Sequence, residues 1–549
     1  MTVESGTDQP EERIVENQGS GSWIHRRRIK SGGKTALIID DHEVTYARLA
    51  ERIDRLADAF RQWGIGRGDR VAYLGENHPS FLETFFAAGT LGAAFVPLNT
   101  RLAPPEVQFA LQDSGASALV YSQELAPLAG SGAKGTAVVH AAVVRPDAAG
   151  PTSGDGGTSA GPGSEATAAT SGGDGVEGAV DFAALLTEGS PEHLDLPVTH
   201  DDPAMILYTS GTTGKPKGAI LTHGNLVWNC MNALVDFDLR STDVALMISP
   251  MFHVASLNMG VLPTLLKGAT VVLEPRFKPG RALALIEKHR ATYISGVPTT
   301  YQMIAEHPDW DKTDISSLEK LTCGGSAVPL RTLEAYERKG LPFTQCYGMT
   351  ETSPGATVLP PEKTREKAGS AGMTQFFTDI RIVDPAGELV GPHAVGEIQI
   401  SGPNVIREYW NRPDATADSF ADDQWFRSGD MGYFDDEGFI YITDRMKDMI
   451  ISGGENIYPV EIEQIILELE HVASAAVVGA ADEKWGEVPI AVVTPVEGAA
   501  LTAEDVQAHL DGRLARYKLP RQIVLADDLP RTASGKIRKA DLRKQYGNV

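Results

Sequence analysis

Tyr208-Thr-Ser-Gly-Thr-Thr-Gly-Lys-Pro-Lys-Gly218 instructs the reading of all 549 residues. Gly211, Gly214 and Gly218 free the backbone to fold back and expose its N–H groups, while Thr209, Ser210, Thr212, Thr213, Lys215 and Lys217 add donors and positive charge, a combination suited to phosphate oxygens. Met205-Ile-Leu-Tyr208 ahead of it reads as a short buried strand, so the donors sit at a strand end, where α/β proteins bind nucleotides. The kinase-type phosphate loop is excluded. That pattern needs a Gly five positions before Gly214 and a Ser or Thr after the lysine, where this chain has Thr209 and Pro216. Taken alone, a Gly/Ser/Thr stretch also reads as a plain surface loop.

Outward from this loop the chain alternates strand and helix. Leu37–Ile39 and His42–Tyr46 suggest a hairpin, Ala47–Trp63 a helix, Arg70–Leu74 a strand, and Phe81, Leu82, Phe85, Phe86 and Leu91 one buried helix face. Gly64-Ile-Gly-Arg-Gly68 follows a helix and precedes a strand, the wrong order for a dinucleotide fingerprint, and reads as a helix C-terminal turn. The rhythm resumes at Asp201 and runs to about Thr443, which predicts a largely parallel, helix-covered sheet. After Lys447 the pattern changes: a helix stripe at Ile462, Ile465, Ile466 and Leu469, strands at Ala475–Gly479 and Ile490–Val493, and a capping box at Thr502–Asp505. Residues 1–21 are polar and read as a disordered tail, and 145–179, almost all small or polar, as a flexible insertion.

The length calls for more than one folding unit, and 42% hydrophobic residues supply the cores. A formal charge of −24 argues against nucleic acid or anionic lipid as a partner. No apolar run long enough for a membrane span and no signal-peptide core is present, and Cys230, Cys323 and Cys346 form no paired motif, so the expectation is a cytoplasmic protein with three inert packing cysteines. His25-Arg-Arg-Arg-Ile-Lys30 reads as a solvated helix face.

Four further strings carry chemistry: Gln345-Cys-Tyr-Gly-Met-Thr-Glu351, Trp425-Phe-Arg-Ser-Gly-Asp430, Thr443-Asp-Arg-Met-Lys-Asp-Met-Ile-Ile-Ser-Gly-Gly-Glu-Asn-Ile-Tyr-Pro459 and Pro530-Arg-Thr-Ala-Ser-Gly-Lys-Ile-Arg-Lys539. An aromatic can stack on a purine, and a carboxylate beside phosphates is a natural magnesium ligand. Each string alone also reads as an ordinary turn or charged loop. Together with the 208–218 loop, in this order over nearly the whole chain, they resemble the adenylate-forming superfamily of acyl-CoA synthetases, coumarate-CoA-type ligases, luciferases and peptide-synthetase adenylation domains.

That resemblance implies a large α/β N-terminal domain over 22–446, of helix-covered mixed sheets with a β subdomain, and a small, mobile α+β C-terminal domain over 447–549 that swings about Lys447. It implies that ATP is held by Thr209, Ser210, Gly211, Thr212, Thr213, Gly214, Lys215, Gly324, Gly325, Ser326, Cys346, Tyr347, Gly348, Met349, Thr350, Asp430, Arg445 and Lys536. Tyr347 stacks on adenine, Thr350 contacts the α-phosphate, Asp430 and Arg445 hold the ribose, and Glu351 with Thr209 meets Mg2+. Lys536, Glu351, Thr209 and His253 are the catalytic set. Ser428 stands where the family has Thr, keeping the hydroxyl. Ser452, Gly453 and Gly454 line the approach of coenzyme A.

Amino-acid-activating relatives place an Asp where this chain has His253, so a neutral acid is expected, in a pocket lined by His253, Val254, Leu257, Met259, Val297, Thr300, Met303, Ala327 and Thr352. The expected activity is a two-step ligase: a medium or long fatty acid, or a bulky terpenoid or aryl acid, is adenylated by ATP·Mg2+ and passed to coenzyme A. A ligase loading a carrier protein and a luciferase-like or non-catalytic nucleotide-binding protein are the alternatives. A second copy of the chain is left open as a partner.

Overall fold

The computed structural model describes residues 16–146, 175–209, 216–325, 328–445, 448–452, 455–482, 484–532 and 536–547. Two large sheets form the N-terminal part. The first has seven strands, in the order Val180–Asp181, His140–Val144, Ala118–Ser122, Arg70–Leu74, Ala94–Leu98, Pro203–Thr209 and Lys217–Thr222, parallel except for the last, which returns antiparallel on Pro203–Thr209. The second has nine, with six central parallel strands from Thr344–Gly348 through Lys320–Gly324, Tyr293–Gly296, Val244–Met247 and Thr270–Leu273 to Thr35–Ile39.

Alternation of side chains along the strands sorts three apolar layers. Val71 and Tyr73 of the first sheet, and Leu37, Ala245, Met247 and Val271 of the second, point into one shared core that holds the helices Tyr46–Gln62, Pro79–Thr90 and His223–Asp236. Ala72 and Leu74 point outward to a second core, under the helices Pro104–Ser114 and Ala126–Ala133. Ile38, Leu246 and Val272 point to a third, with Pro279–His289, Pro298–Ala305 and Leu330–Glu337. The result is five layers: helices, sheet, helices, sheet, helices.

Being in the middle layer, Pro79–Thr90 is buried on every face rather than on the one its large residues mark. That takes Glu83 fully out of water, where Arg52 meets it at 2.5 Å. The helix before it ends as read: Gly64, at φ +80°, donates to Arg61 O, and Ile65 donates to Phe60 O. The basic face of Trp23–Ser31 is partly engaged, since Arg27 donates to Leu266 O, and His25 stacks on His193, which contacts Asp54 at 2.8 Å.

Three expectations are corrected. The tail read as disordered to residue 21 is packed from residue 16 on: Asn17 donates to Gly89 O and Thr90 O, and Ser20 N donates to Nδ1 of His223. Gly21 lies so close to the end of Pro79–Thr90 that a Cβ would come within 2.3 Å of its backbone, a fit that composition does not reveal. The stretch 145–179, read as a flexible insertion, is packed at both ends, where Arg145 pairs with Asp181, Val176 N donates to the Tyr121 hydroxyl and Ala179 is buried; residues 147–174 lie outside the described residues. The α/β rhythm read as running to Thr443 stops at Gly348. From there the chain turns antiparallel, and Asp379–Val383, Gly396–Ser401, Phe426–Phe434 and Ile440–Arg445 make a separate four-stranded sheet over its own small core.

The C-terminal part is a five-stranded sheet built on the long hairpin Val472–Asp482 and Gly486–Pro495. Its two faces are covered by Pro459–Ile466 with Ala503–Leu510, and by Lys539–Tyr546. Thr502 and Asp505 form the capping box. The chain leaves the preceding sheet at Arg445 and enters this one at Ile450; Lys447 lies outside the described residues. No helix among the described residues is long and apolar enough to cross a membrane.

Candidate active site

Parallel pairing fixes where the chemistry collects. Tyr293–Gly296, Lys320–Gly324 and Thr344–Gly348 run in register, Gly296 beside Cys323 and Gly324 beside Cys346, so the segments that follow all leave one edge of the sheet. Such an edge is the binding edge of an α/β sheet. Residues 346–351 are each partly exposed there.

The string at 345–351 meets the one at 425–430. The Tyr347 hydroxyl donates to Oδ2 of Asp430 at 2.7 Å, and Asp430 N donates to the Ser428 hydroxyl at 3.0 Å. Asp430 stands opposite Arg445 in the strand register, which brings in the third string at backbone level. Glu351, on the turn Thr350–Thr352, accepts from the Tyr409 hydroxyl at 2.8 Å. The fourth string arrives from the small domain: a Cβ on Gly325, whose φ is +94°, would sit 3.5 Å from Cε of Lys536. Lys536 is carried on a tight return in which its N–H donates to the Thr532 hydroxyl and its carbonyl accepts from Thr532 N.

His253 lies within reach of the Lys536 charge. Burial, then Lys536 and Arg101, push its imidazole down to about 4, so the ring is neutral near pH 7, and its buried Nε2 has no hydrogen-bond partner among the described residues. It caps a helical run made of Val254–Ser256, a wide π turn at Leu257–Val261 and Leu262–Lys267. Pro263 has no N–H to give Met259 O, and the Tyr293 hydroxyl takes that carbonyl instead. Asn229 caps Asn258 O, and Thr264 caps Gly260 O.

Thr209 ends its strand at the base of the loop, its hydroxyl on Lys217 O at 3.5 Å. Ser210, Gly211, Thr212, Thr213, Gly214, Lys215, Ser326, Ala327, Lys447, Gly453 and Gly454 lie outside the described residues, as does the Arg445 side chain. Ser452 is buried and pairs with Glu455 and Gly486. Burial raises the Cys346 thiol above its usual range, in keeping with an inert residue.

The residues expected to line the acid pocket lie at different depths. Val254, Leu257 and Met259 are buried in the core shared by the two sheets. Thr300 is buried and Val297 partly so, whereas Met303 is 48% exposed. Thr352 has no exposed surface, and its hydroxyl is spent on Pro354 O at 2.6 Å, so it braces the turn carrying Glu351 rather than facing an opening.

Sequence reasoning missed a collar at the base of the 208–218 loop. Trp410 N donates to Gly218 O, and Lys217 lies 5.3 Å over the Tyr409 ring. Asp113 gathers the Tyr208 hydroxyl, the Trp410 indole N–H and Arg412. The only sequence signal was the aromatic pair Tyr409-Trp410, which carries no reactive group.

The donors suit a magnesium nucleotide beside an anion: carboxylates on Glu351 and Asp430, a hydroxyl on Thr209, a bare glycine backbone and the cation of Lys536. The AMP-binding enzyme family matches residues 25–410, and the AMP-binding enzyme C-terminal domain matches 461–536. The chain is similar to the feruloyl-CoA synthase of Amycolatopsis sp, at 47% identity over 97% of this chain and 100% of that one. It is also similar to the indoleacetate–CoA ligase of Aromatoleum aromaticum, at 42% over 95% and 97%. Among solved structures, the o-succinylbenzoate coenzyme A synthetase of Bacillus subtilis in complex with ATP and magnesium ion superimposes with a TM-score of 0.81, at 33% identity over 95% of this chain and 99% of that one.

Proposed function

Since the chain belongs to the AMP-binding enzymes, and is an AMP-forming acid–CoA ligase that uses ATP, Mg2+ and coenzyme A, we propose that its acid is an aryl-substituted carboxylic acid of the ferulate type. The observation that carries this is the full-length similarity to feruloyl-CoA synthase. A neutral His253 supports it, since that residue offers no carboxylate to pair with a substrate ammonium.

In the first half-reaction the acid's carboxylate oxygen attacks the α-phosphorus of ATP, and the bond to pyrophosphate breaks. In the second, the thiol of coenzyme A attacks the acyl carbonyl, loses its proton and expels AMP. The physical obstacle in the first step is two anions approaching each other. A cation lying between them offsets that repulsion most as the new bond forms, the role proposed for Lys536. Tyr347 offers a ring face for adenine and, with Asp430 and Arg445, a polar rim for the ribose. Thr350 would meet the α-phosphate, and Glu351 with Thr209 would hold Mg2+, which when bound neutralises phosphate charge. In the second step Lys536 withdraws as the small domain turns about Lys447, and the segment Ser452–Gly454 is brought to the thiol.

Pyrophosphate exchange into ATP, run over ferulate, coumarate, indoleacetate, fatty acids and polycyclic acids, tests the substrate. Ferulate-type acids are expected to give the highest kcat/KM; preference for a fatty or polycyclic acid overturns the assignment.

A further inference from the structure

Tyr409 lies outside every string that the sequence reading assigned to the reaction, yet it touches two of them. Its hydroxyl donates to Oε1 of Glu351 at 2.8 Å. Its ring lies under the ammonium of Lys217, and its backbone bridges Ala219, on the strand that leaves the phosphate loop. The next residue, Trp410, donates through its backbone N–H to Gly218 O at 2.7 Å. Glu351 is tied to the same segment from the other side, because Ile406 N donates to Glu351 O at 2.9 Å.

We propose that Tyr409 is a positioning residue: it fixes the Glu351 carboxylate in the orientation that meets the metal of the metal–nucleotide substrate, and it registers that carboxylate against the base of the phosphate loop. The inference rests on the reading of Glu351 as the metal carboxylate. A glutamate side chain on a short turn has three rotatable bonds and two equivalent oxygens. One donor on Oε1 removes the rotational freedom and leaves the lone pairs of Oε2 pointing one way. Tyr409 is itself buried, 6% exposed, with its N–H on the Thr416 hydroxyl at 3.0 Å. Partners that orient a metal ligand in this way change metal affinity by about 10- to 100-fold when removed.

The test is Tyr409→Phe, which removes one oxygen and keeps the ring under Lys217. Calorimetric binding of a non-hydrolysable ATP analogue is titrated against free Mg2+, with Glu351→Gln in parallel and thermal melting as the check on folding. The expected result is an about tenfold or greater rise in the Mg2+ needed for half-maximal tightening of analogue binding, with metal-free binding of the analogue and the melting temperature unchanged. An unshifted Mg2+ requirement in Tyr409→Phe, with a shifted one in Glu351→Gln, overturns the positioning role and leaves Glu351 in place. No shift in Glu351→Gln overturns both. Equal weakening of analogue binding with and without Mg2+ marks Tyr409 as merely structural and also overturns it.

Discussion

On the proposed mechanism, a single ammonium at Lys536 serves one half-reaction and leaves before the other. Lys536→Ala is therefore expected to lower acid-dependent pyrophosphate exchange by about 100- to 1,000-fold, the cost of removing one electrostatic donor from a developing charge. Thioester formation from supplied acyl-adenylate and coenzyme A should remain largely intact, and an equal loss of both removes the first-step role. The same substitution has a second readout at His253. A cation disfavours imidazolium, so deleting it raises the histidine's pKa from about 4, while burial, the larger cause, still holds it below the ordinary 6.5. Histidine NMR titration of the two proteins checks the direction. These side chains were legible because their chemistry is unusual in short strings. Tyr409 was not, because its value lies in what it touches across a gap of 58 residues to Glu351.

Among elements, the helix Pro79–Thr90 carries the clearest energetic consequence. Glu83 is out of reach of water, and Arg52 is its countercharge. Arg52→Met should cost about 3–5 kcal/mol by urea unfolding, because it strands a buried carboxylate. Adding Glu83→Gln should recover most of that, and a single-mutant cost below about 1 kcal/mol would show that the carboxylate finds other solvation. Strands such as Arg70–Leu74 were read to the residue, since a short, fully buried apolar run is written locally. The π turn at Leu257–Val261 was not: it depends on Pro263 releasing a carbonyl that Tyr293, far along the chain, takes up. The packing of Asn17 and Ser20 escaped for the same reason, their partners being Gly89, Thr90 and His223.

On the scale of the whole molecule, the small domain presents Lys536 to Gly325, the arrangement that suits acid activation. If Lys447 is the pivot, Lys447→Pro fixes one backbone torsion there and blocks the turn. Pyrophosphate exchange should persist in that variant while acyl-CoA formation falls, as followed by separate assays of the two half-reactions; normal coenzyme A turnover would place the pivot elsewhere. The two-part organisation was legible because the hydrophobic pattern changes after Lys447. The five-layer stacking was not, because nothing local says that the hairpin Thr35–Ile39 and His42–Thr45 joins the second sheet rather than the first. That placement bears on how the protein is made. The strand at Leu37 finds its parallel neighbour at Val271, so on a ribosome working at about 5–20 residues per second an early, oily edge waits roughly 10–50 s for the chain that will cover it. The N-terminal layer thus closes only once about half of the chain has been made, and the nascent edge needs shielding until then.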